Sequence, residues 1–335
     1  MTDILNVAVI GCGGHAQHHF RMIAADPRLR LMAVAEIDAA RLVSAASAHG
    51  PLQAFDDYRS MLDRIGDIDI VHVTTMPGFL VDIVLDCMAR DLHVLVEKPP
   101  GMSSADTGRM ADAAAGSAGK SMVSFNRRYM PQILAVRRLV QEAGGAVHVS
   151  ATYNKPVTTL GTPAMAGITP DPVVCDAIHH VDLLRWLAGA GDTAATATHV
   201  HALVQDGPRA GSHRHNAVIR FDTGAIGSFS SHYGVGQREQ RAEAHAEDLS
   251  AYLDLNTEPQ VQLSRAEAAA GGTTRTCTQA PALDLSAVGG AHFDEVRHFT
   301  DCILEDRQPW SGLQDAVATM RLAEAIRGGH QGPLP

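Results

Sequence analysis

The chain has 335 residues, of which 45% are hydrophobic, 4% aromatic and 19% charged, with a formal net charge of −10. That length suits two domains with sizeable cores. The acidic balance, with no basic cluster, argues against nucleic acid and anionic membrane surfaces as partners. The N-terminus carries Asp3 and its apolar run stops at a glycine-rich turn, which fits neither a secretory signal nor a membrane span. The five cysteines, 12, 87, 175, 277 and 302, are scattered and form no Cys-x-x-Cys, so a reduced, cytoplasmic protein is expected. Eighteen histidines include the pairs His199/His201 and His213/His215, but no acid or cysteine set completes a zinc pattern, and no metal is expected.

Ile4 to Ile10 is an apolar, β-branched run of the length of a central parallel strand. It leads into Gly11-Cys12-Gly13-Gly14-His15-Ala16 and a helix expected from about His15 to Ala25. Gly11 permits the tight turn, Gly13 lets backbone approach a pyrophosphate, and Ala16 is small enough for close helix–strand packing. The helix start offers its free N–H groups and positive dipole end to phosphate. A second strand, Leu29 to Ala35, ends at Glu36, twenty residues past Ala16. A carboxylate there accepts from a ribose 2′-hydroxyl and repels a 2′-phosphate, and Ile37 adds no positive charge. NAD is therefore expected over NADP, with Arg41 the nearby cation that weakens the distinction.

Strands and helices keep alternating. A helix is expected over about Ala39 to Ala48, and Asp57 can cap a short one through Asp63. Ile68–Val73 reads as a strand, Phe79–Arg90 as a helix and His93–Val96 as a strand. Ser103 or Ser104 caps a helix to about Ala115, and Ser121–Phe125 is the last strand. This alternation predicts a parallel sheet covered on both faces. The pattern changes after a helix from about Pro131 to Ala143 that stops at Gly144-Gly145. Strands follow at Ala146–Tyr153, Thr196–Leu203, His215–Phe221, Ala225–Ser231 and Ala251–Leu255, interrupted by a helix over Ile178–Ala188. Asp222-Thr223-Gly224 reads as a hairpin turn. Glu239–Glu247 and Ala268–Thr278 read as exposed loops or hairpin ends. Helices at Phe293–Glu305 and Leu313–Arg327 close the chain. The fold expected is a parallel dinucleotide-binding sheet over residues 1–123 and an open, mostly antiparallel α+β domain over 124–335.

Several residues fall where chemistry is expected. Lys98 follows the strand His93–Val96, on the ligand edge of a doubly wound sheet, and Pro99 restricts its backbone. It can hydrogen-bond and polarise a substrate hydroxyl, or stand in a proline-rich surface loop. Asp176, His179, His180 and Asp182 gather at a helix start, where Asp176 shares a face with either histidine. Val181, Leu184 and Ala188 form the anchoring apolar stripe, and His179 lies off it, placed to accept a proton. Asn126 and Arg127 lie just past the last strand of the first domain and are candidates to touch cofactor or substrate. Tyr153 and Lys155 end the first strand of the second domain and are candidates to line the pocket.

Together these segments resemble the glucose–fructose oxidoreductase, inositol dehydrogenase and rhizopine-catabolism (Gfo/Idh/MocA) family. The resemblance runs through Val9-Ile10-Gly11-Cys12-Gly13, Val94-Leu95-Val96-Glu97-Lys98-Pro99, Ser124-Phe125-Asn126-Arg127-Arg128-Tyr129, Ile178-His179-His180-Val181-Asp182 and the segment from Gly312 to Ala325. It implies a Rossmann domain joined to a sheet domain that carries substrate and often mediates oligomers. It selects Lys98 as the catalytic lysine, and His179, three residues before Asp182, as the acid/base. An acid often stands four residues before that histidine; here that place is Cys175, and the acid is Asp176. Gly14, His15, Thr74, Thr75, Pro77, Glu97, Asn126 and Arg127 are expected to border the cofactor. Lys98, Arg127, Tyr153, Lys155, Asp176, His179 and His180 are expected around the substrate. Met76-Pro77-Gly78 departs from the family's usual Thr-Pro-Asn.

The resemblance implies an NAD-dependent dehydrogenase that oxidises or reduces a secondary alcohol of a sugar, inositol or related polyol. Two alternatives share the nucleotide: transient oxidation serving glycoside cleavage or epimerisation, and a non-enzymatic nucleotide-binding sensor. A small-molecule substrate and a homo-oligomer, dimer or tetramer, are the expected partners. The loops Thr158–Pro172 and Tyr233–Arg241 are expected to set specificity.

Overall fold

The structure, a computed structural model, describes residues 4–157, 171–209, 211–256, 260–268, 275–279 and 295–334. The chain forms two compact units, Met1–Phe125 with Asp294–Val317, and Asn126–Phe293 with Ala318–Pro335. The sequence suggests one boundary, at 123/124; the contacts place a first break at 125/126 and further crossings near 293 and 317.

In the first unit, β1 (Leu5–Ile10), β2 (Leu29–Ala35), β3 (Gln53–Phe55), β4 (Ile70–Val73), β5 (His93–Val96) and β6 (Ser121–Val123) form one sheet in the order β3-β2-β1-β4-β5-β6. Every pairing in it is parallel. Val7, Ala8 and Val9 of β1 are 0% exposed, as an unbroken apolar strand covered on both faces must be. The helices are α1 (Ala16–Ala25), α2 (Ala39–His49), α3 (Tyr58–Arg64), α4 (Pro77–Met88) and α5 (Ser104–Ala115). Their starts are chemically specified. Asp38 accepts from the Ala40 and Arg41 amides, Asp57 from Ser60, and Ser103 from Asp106. Each such cap is worth about 1 kcal/mol. Pro77 opens α4, where its missing N–H costs nothing.

The second unit begins with the 3₁₀ turn Asn126–Tyr129 and α6 (Pro131–Glu142), and holds β7 (His148–Asn154) and α7 (Ile178–Ala188). Then come β8 (Ala197–Asp206), β9 (His213–Phe221), β10 (Ile226–His232), β11 (Glu239–Ala246), β12 (Leu249–Asp254), β13 (Gln260–Ala268), β14 (Arg275–Gln279) and the terminal β15 (Gln331–Pro333). They make a nine-stranded sheet in the order β14-β13-β12-β11-β7-β10-β9-β8-β15. Its pairings are antiparallel except β7 with β10. Of the closing helices, α8 (Glu295–Leu304) belongs to the first unit, and α9 (Leu313–Arg327) starts in the first and ends in the second.

Two local expectations need correction. Glu239–Glu247 is not an exposed loop: residues 239–246 are β11, paired with both β7 and β12. Gln240, Ala242, Ala244 and Ala246 alternate inward, a period-2 pattern hidden by small residues set between charges. Ala268–Thr278 contains the end of β13 and most of β14, which pair antiparallel in agreement with the hairpin-end expectation, and 269–274 lie outside the described residues. Finally, α7 has no single apolar stripe, since all eleven of its residues are buried. Such a helix packs against neighbours all round, and its polar groups must find partners inside the protein.

Candidate active site

The dinucleotide cradle is built at the carboxyl ends of β1, β2 and β4. Gly11 sits at φ +89°, and a Cβ there would lie 3.0 Å from the Thr74 carbonyl carbon, so only glycine fits. Gly13 and Gly14 have open space where a Cβ would stand, which leaves the loop's outer side clear for a ligand. His15 is the N-cap of α1 and makes no side-chain cap hydrogen bond, so no side chain competes for the first N–H groups of the helix. Ala16 is 0% exposed at the base of the helix, while Ile37 is exposed.

Glu36, buried at the end of β2, is held on both oxygens. Oε2 accepts from the Cys12 amide at 2.7 Å and Oε1 from the Asp38 amide at 3.0 Å. A carboxylate has about four acceptor sites, so two bonds fix its direction and leave capacity for ribose hydroxyls. Burial and the field of Glu36 push the Cys12 thiol up to about 12, which keeps it an inert neutral group. Thr74 donates to the Gly11 carbonyl at 2.6 Å and ties β4 to the glycine-rich turn. The Thr75 hydroxyl is buried with no hydrogen-bond partner among the described residues. A buried hydroxyl without a protein partner beside the glycine loop fits a dinucleotide's polar groups.

Lys98 is half-buried and follows β5, the neighbour of β4 in the sheet. The glycine turn, Thr74 and Lys98 therefore leave one edge of one sheet, after three adjacent parallel strands. The Lys98 amide donates to Glu97 Oε2 at 3.1 Å.

In the second unit, a π-helical turn, Val173–Ala177, precedes α7 and carries Asp176. Such wide turns often mark functional positions. Asp176 is 5% exposed and gathers three donors. Tyr153 donates to Oδ1 at 2.7 Å, and Tyr233 and Lys155 donate to Oδ2 at 2.9 and 2.6 Å. Burial, reinforced by the Asp176 charge, raises both tyrosine hydroxyls well above their ordinary range, so they remain protonated donors. His179 and His180 open α7. His180 is 0% exposed, its ring lies edge-on to Tyr153 at 4.9 Å, and neither ring nitrogen has a partner among the described residues. Burial, with the Arg127 and Arg238 charges, drives its pKa well below 6.5. His180 is therefore neutral and wholly enclosed. His179 is 7% exposed.

Arg127 donates to Asn126 Oδ1 at 3.1 Å and to Gln240 Oε1 at 3.2 Å. Its neighbour Arg128 is fully buried in a two-pronged pair with Asp182, Nε to Oδ2 at 2.8 Å and Nη2 to Oδ1 at 2.5 Å. Thr319 adds a third donor to Asp182 at 2.9 Å. Asp182 thus locks the 3₁₀ turn that carries Asn126 and Arg127 onto the helix that carries His179. The structure brings Tyr153, Lys155 and Asp176 together as one cluster. Tyr233, expected only as the start of a specificity loop, joins that cluster. Tyr233 stands one residue after β10, beside Lys155 in an isolated parallel bridge, a pairing no local signal announces. Of the specificity loops, residues 158–170 lie outside the described residues.

Comparison with known proteins agrees with this reading. Residues 5–125 match the model of the oxidoreductase family with an NAD-binding Rossmann fold, GFO_IDH_MocA. The uncharacterized oxidoreductase YrbE of Bacillus subtilis is 25% identical over 285 residues, 80% of this chain and 79% of that protein. An inositol 2-dehydrogenase of Rubrobacter xylanophilus is 34% identical over 197 residues, covering 55% of this chain and 52% of that protein. A levoglucosan dehydrogenase in complex with NADH superposes with a TM-score of 0.83 at 20% identity, over 99% of this chain and 100% of that one, a likeness of fold. The parallel sheet, the glycine turn with Glu36 behind it, and the match over residues 5–125 lead to one conclusion: residues 5–125 are an NAD-binding Rossmann domain of the oxidoreductase family whose model they match.

Proposed function

We propose that the protein is an NAD-dependent dehydrogenase acting on a secondary alcohol of a sugar, inositol or related polyol. The observation that carries this reading is the shared edge of the first sheet, where the dinucleotide cradle and Lys98 leave adjacent strands. The inositol 2-dehydrogenases among its relatives support the substrate class, although the match spans about half of their length, 52% and 56% for two of them.

In this reading Gly11, Gly13, Gly14 and the start of α1 hold the pyrophosphate, and Glu36 holds the adenosine ribose. Bound NAD supplies the hydride acceptor. Lys98 hydrogen-bonds the reacting hydroxyl and fixes its direction. His179 takes the hydroxyl proton as the carbon–hydrogen bond breaks. Asp176, held by Tyr153, Tyr233 and Lys155, stands three residues before His179 and borders the same helix start. NAD is favoured over NADP because Glu36 would face a 2′-phosphate. Exposed Leu203 and Val218 on the nine-stranded sheet support a homo-oligomer. Among the described residues no helix is long and apolar enough to cross a membrane.

The test is a panel of inositols, aldoses and sugar acids, each incubated with NAD and with NADP while reduced nucleotide is followed by absorbance. NADH formation with at least one polyol, and little with NADP, is expected. Interconversion of sugars with no net NADH would favour transient oxidation instead, and no change in any mixture would refute the dehydrogenase reading.

A further inference from the structure

A buried chain of side chains lies behind the Lys98 backbone, and neither the dinucleotide cradle nor the proton transfer uses it. His72 of β4 and His19 of α1 are both 0% exposed. His19 Nδ1 lies 3.2 Å from His72 Nδ1, and His19 Nε2 lies 3.0 Å from Glu97 Oε1. The second Glu97 oxygen accepts from the Lys98 amide, and the Glu97 amide donates to the Val73 carbonyl at 2.9 Å. The amide of Lys98 is thereby fastened, through one carboxylate, to the helix of the glycine-rich turn and to the strand beside it. Two imidazoles and a carboxylate are expensive to bury, and ordinary apolar side chains would fill the same volume at less cost.

The charges around His19 are specific. Glu97 faces it directly, and Glu295 of α8, held on both oxygens by the Ser124 hydroxyl at 3.0 Å, adds a second negative field. His72 faces it from β4, His18 adjoins it on α1, and His15 and Lys98 lie within the field of Glu97. Burial opposes a charge on His19, but the Glu97 hydrogen bond and the two carboxylates outweigh it, so its pKa rises above 6.5. His72, buried and next to that cation, is pushed well below 6.5. An imidazolium at His19 donates from both nitrogens, to Glu97 and to the bare Nδ1 of His72.

We propose that His19 is a positioning residue which, through Glu97, fixes the backbone amide of Lys98 and so the direction from which the lysine amine reaches its ligand. The kinetic consequence rests on the dehydrogenase reading; the geometric one does not. The test compares His19→Leu, which removes both bonds, with His19→Gln, whose amide can still donate to Glu97, and with Glu97→Gln. Folding of each is checked by circular dichroism. The amine reactivity of Lys98 is read by competitive acetic anhydride labelling and mass spectrometry, with Lys155 as internal reference. NADH affinity and kcat are measured alongside.

His19→Leu should alter the Lys98 labelling rate relative to Lys155, lower kcat by about tenfold or more, as loss of an outer partner does at metal sites, and leave NADH affinity within about twofold. His19→Gln should recover most of both losses. Should His19→Leu not fold, the Glu97→Gln labelling rate decides. Folded variants that label and turn over like the wild type would overturn the proposal. A changed labelling rate in a protein that oxidises no alcohol would sustain the positioning role and sink the dehydrogenase reading instead.

Discussion

Asp182→Asn is the sharpest structural perturbation available near α7. Arg128 and Asp182 are both 0% exposed and share two charge-assisted hydrogen bonds. Removing one charge leaves a buried guanidinium uncompensated, which costs about 3–5 kcal/mol. Asparagine retains one carbonyl acceptor, so the expected loss is about 3 kcal/mol. For a urea dependence of roughly 2 kcal/mol per molar, the midpoint falls by about 1.5 M. Trp186 reports the event locally, because the Arg128 guanidinium lies 5.1 Å from its ring. Urea unfolding followed by Trp186 fluorescence in a Trp310→Phe background is the assay. Exposed Arg138 and Glu142, 3.7 Å apart on α6, provide the control, where loss of the pair should cost less than ~0.5 kcal/mol. Replacing both partners, Arg128→Met with Asp182→Leu, should recover most of the stability. A single-variant shift no larger than that of the surface pair, or a double variant as weak as the single one, would refute this account of the buried pair.

Other outcomes follow from the same geometry. Gly11→Ala should destabilise by about 1–3 kcal/mol and weaken NADH binding, since alanine at φ +89° is strained and its Cβ meets Thr74; thermal melts with and without NADH check both. Glu36→Ser should lower NADH affinity by about ten- to a hundredfold, the value of a charge-assisted hydrogen bond of roughly 1.5–3 kcal/mol, and narrow the preference over NADPH, as measured by calorimetric titration. Tyr233→Phe should cost about 1–2 kcal/mol in urea unfolding, because Asp176 loses one of its three donors. The His19 contribution should depend on pH with a definite sign. Its folded pKa lies above 6.5, so the stability difference between wild type and His19→Leu is greatest below pH 6.5 and declines as pH rises through the folded value. A difference that grew with pH in paired melts would contradict the assignment of an imidazolium.

The sequence disclosed most where the physics is local. The strand Leu5–Ile10, the turn at Gly11, the Asp38, Asp57 and Ser103 caps and the carboxylate at Glu36 are each set by neighbours a few residues away. Lys98 was legible because strand–helix alternation places the residue after a parallel strand on the ligand edge. What escaped was long-range. The Arg128–Asp182 pair joins residues 54 apart, His19 and Glu97 are 78 apart, and Tyr233 reaches Asp176 across 57. Hydrogen bonds of that separation leave no periodicity to read. β11 was missed for another reason: its inward positions after Gln240 are alanines, which signal neither strand nor core when set among Glu239, Arg241 and Glu243. The burial of His180, 0% exposed beside Tyr153, was likewise not legible from its neighbours in sequence.

The most direct trial of the central claim is Lys98→Met, with NADH affinity and steady-state turnover measured on the same preparation. If the edge of the first sheet joins cofactor and reacting alcohol as proposed, NADH binds within about twofold of wild type while turnover falls by at least about a thousandfold. Turnover close to wild type in the variant would show that the reaction does not depend on this lysine, and the account of the site would be wrong.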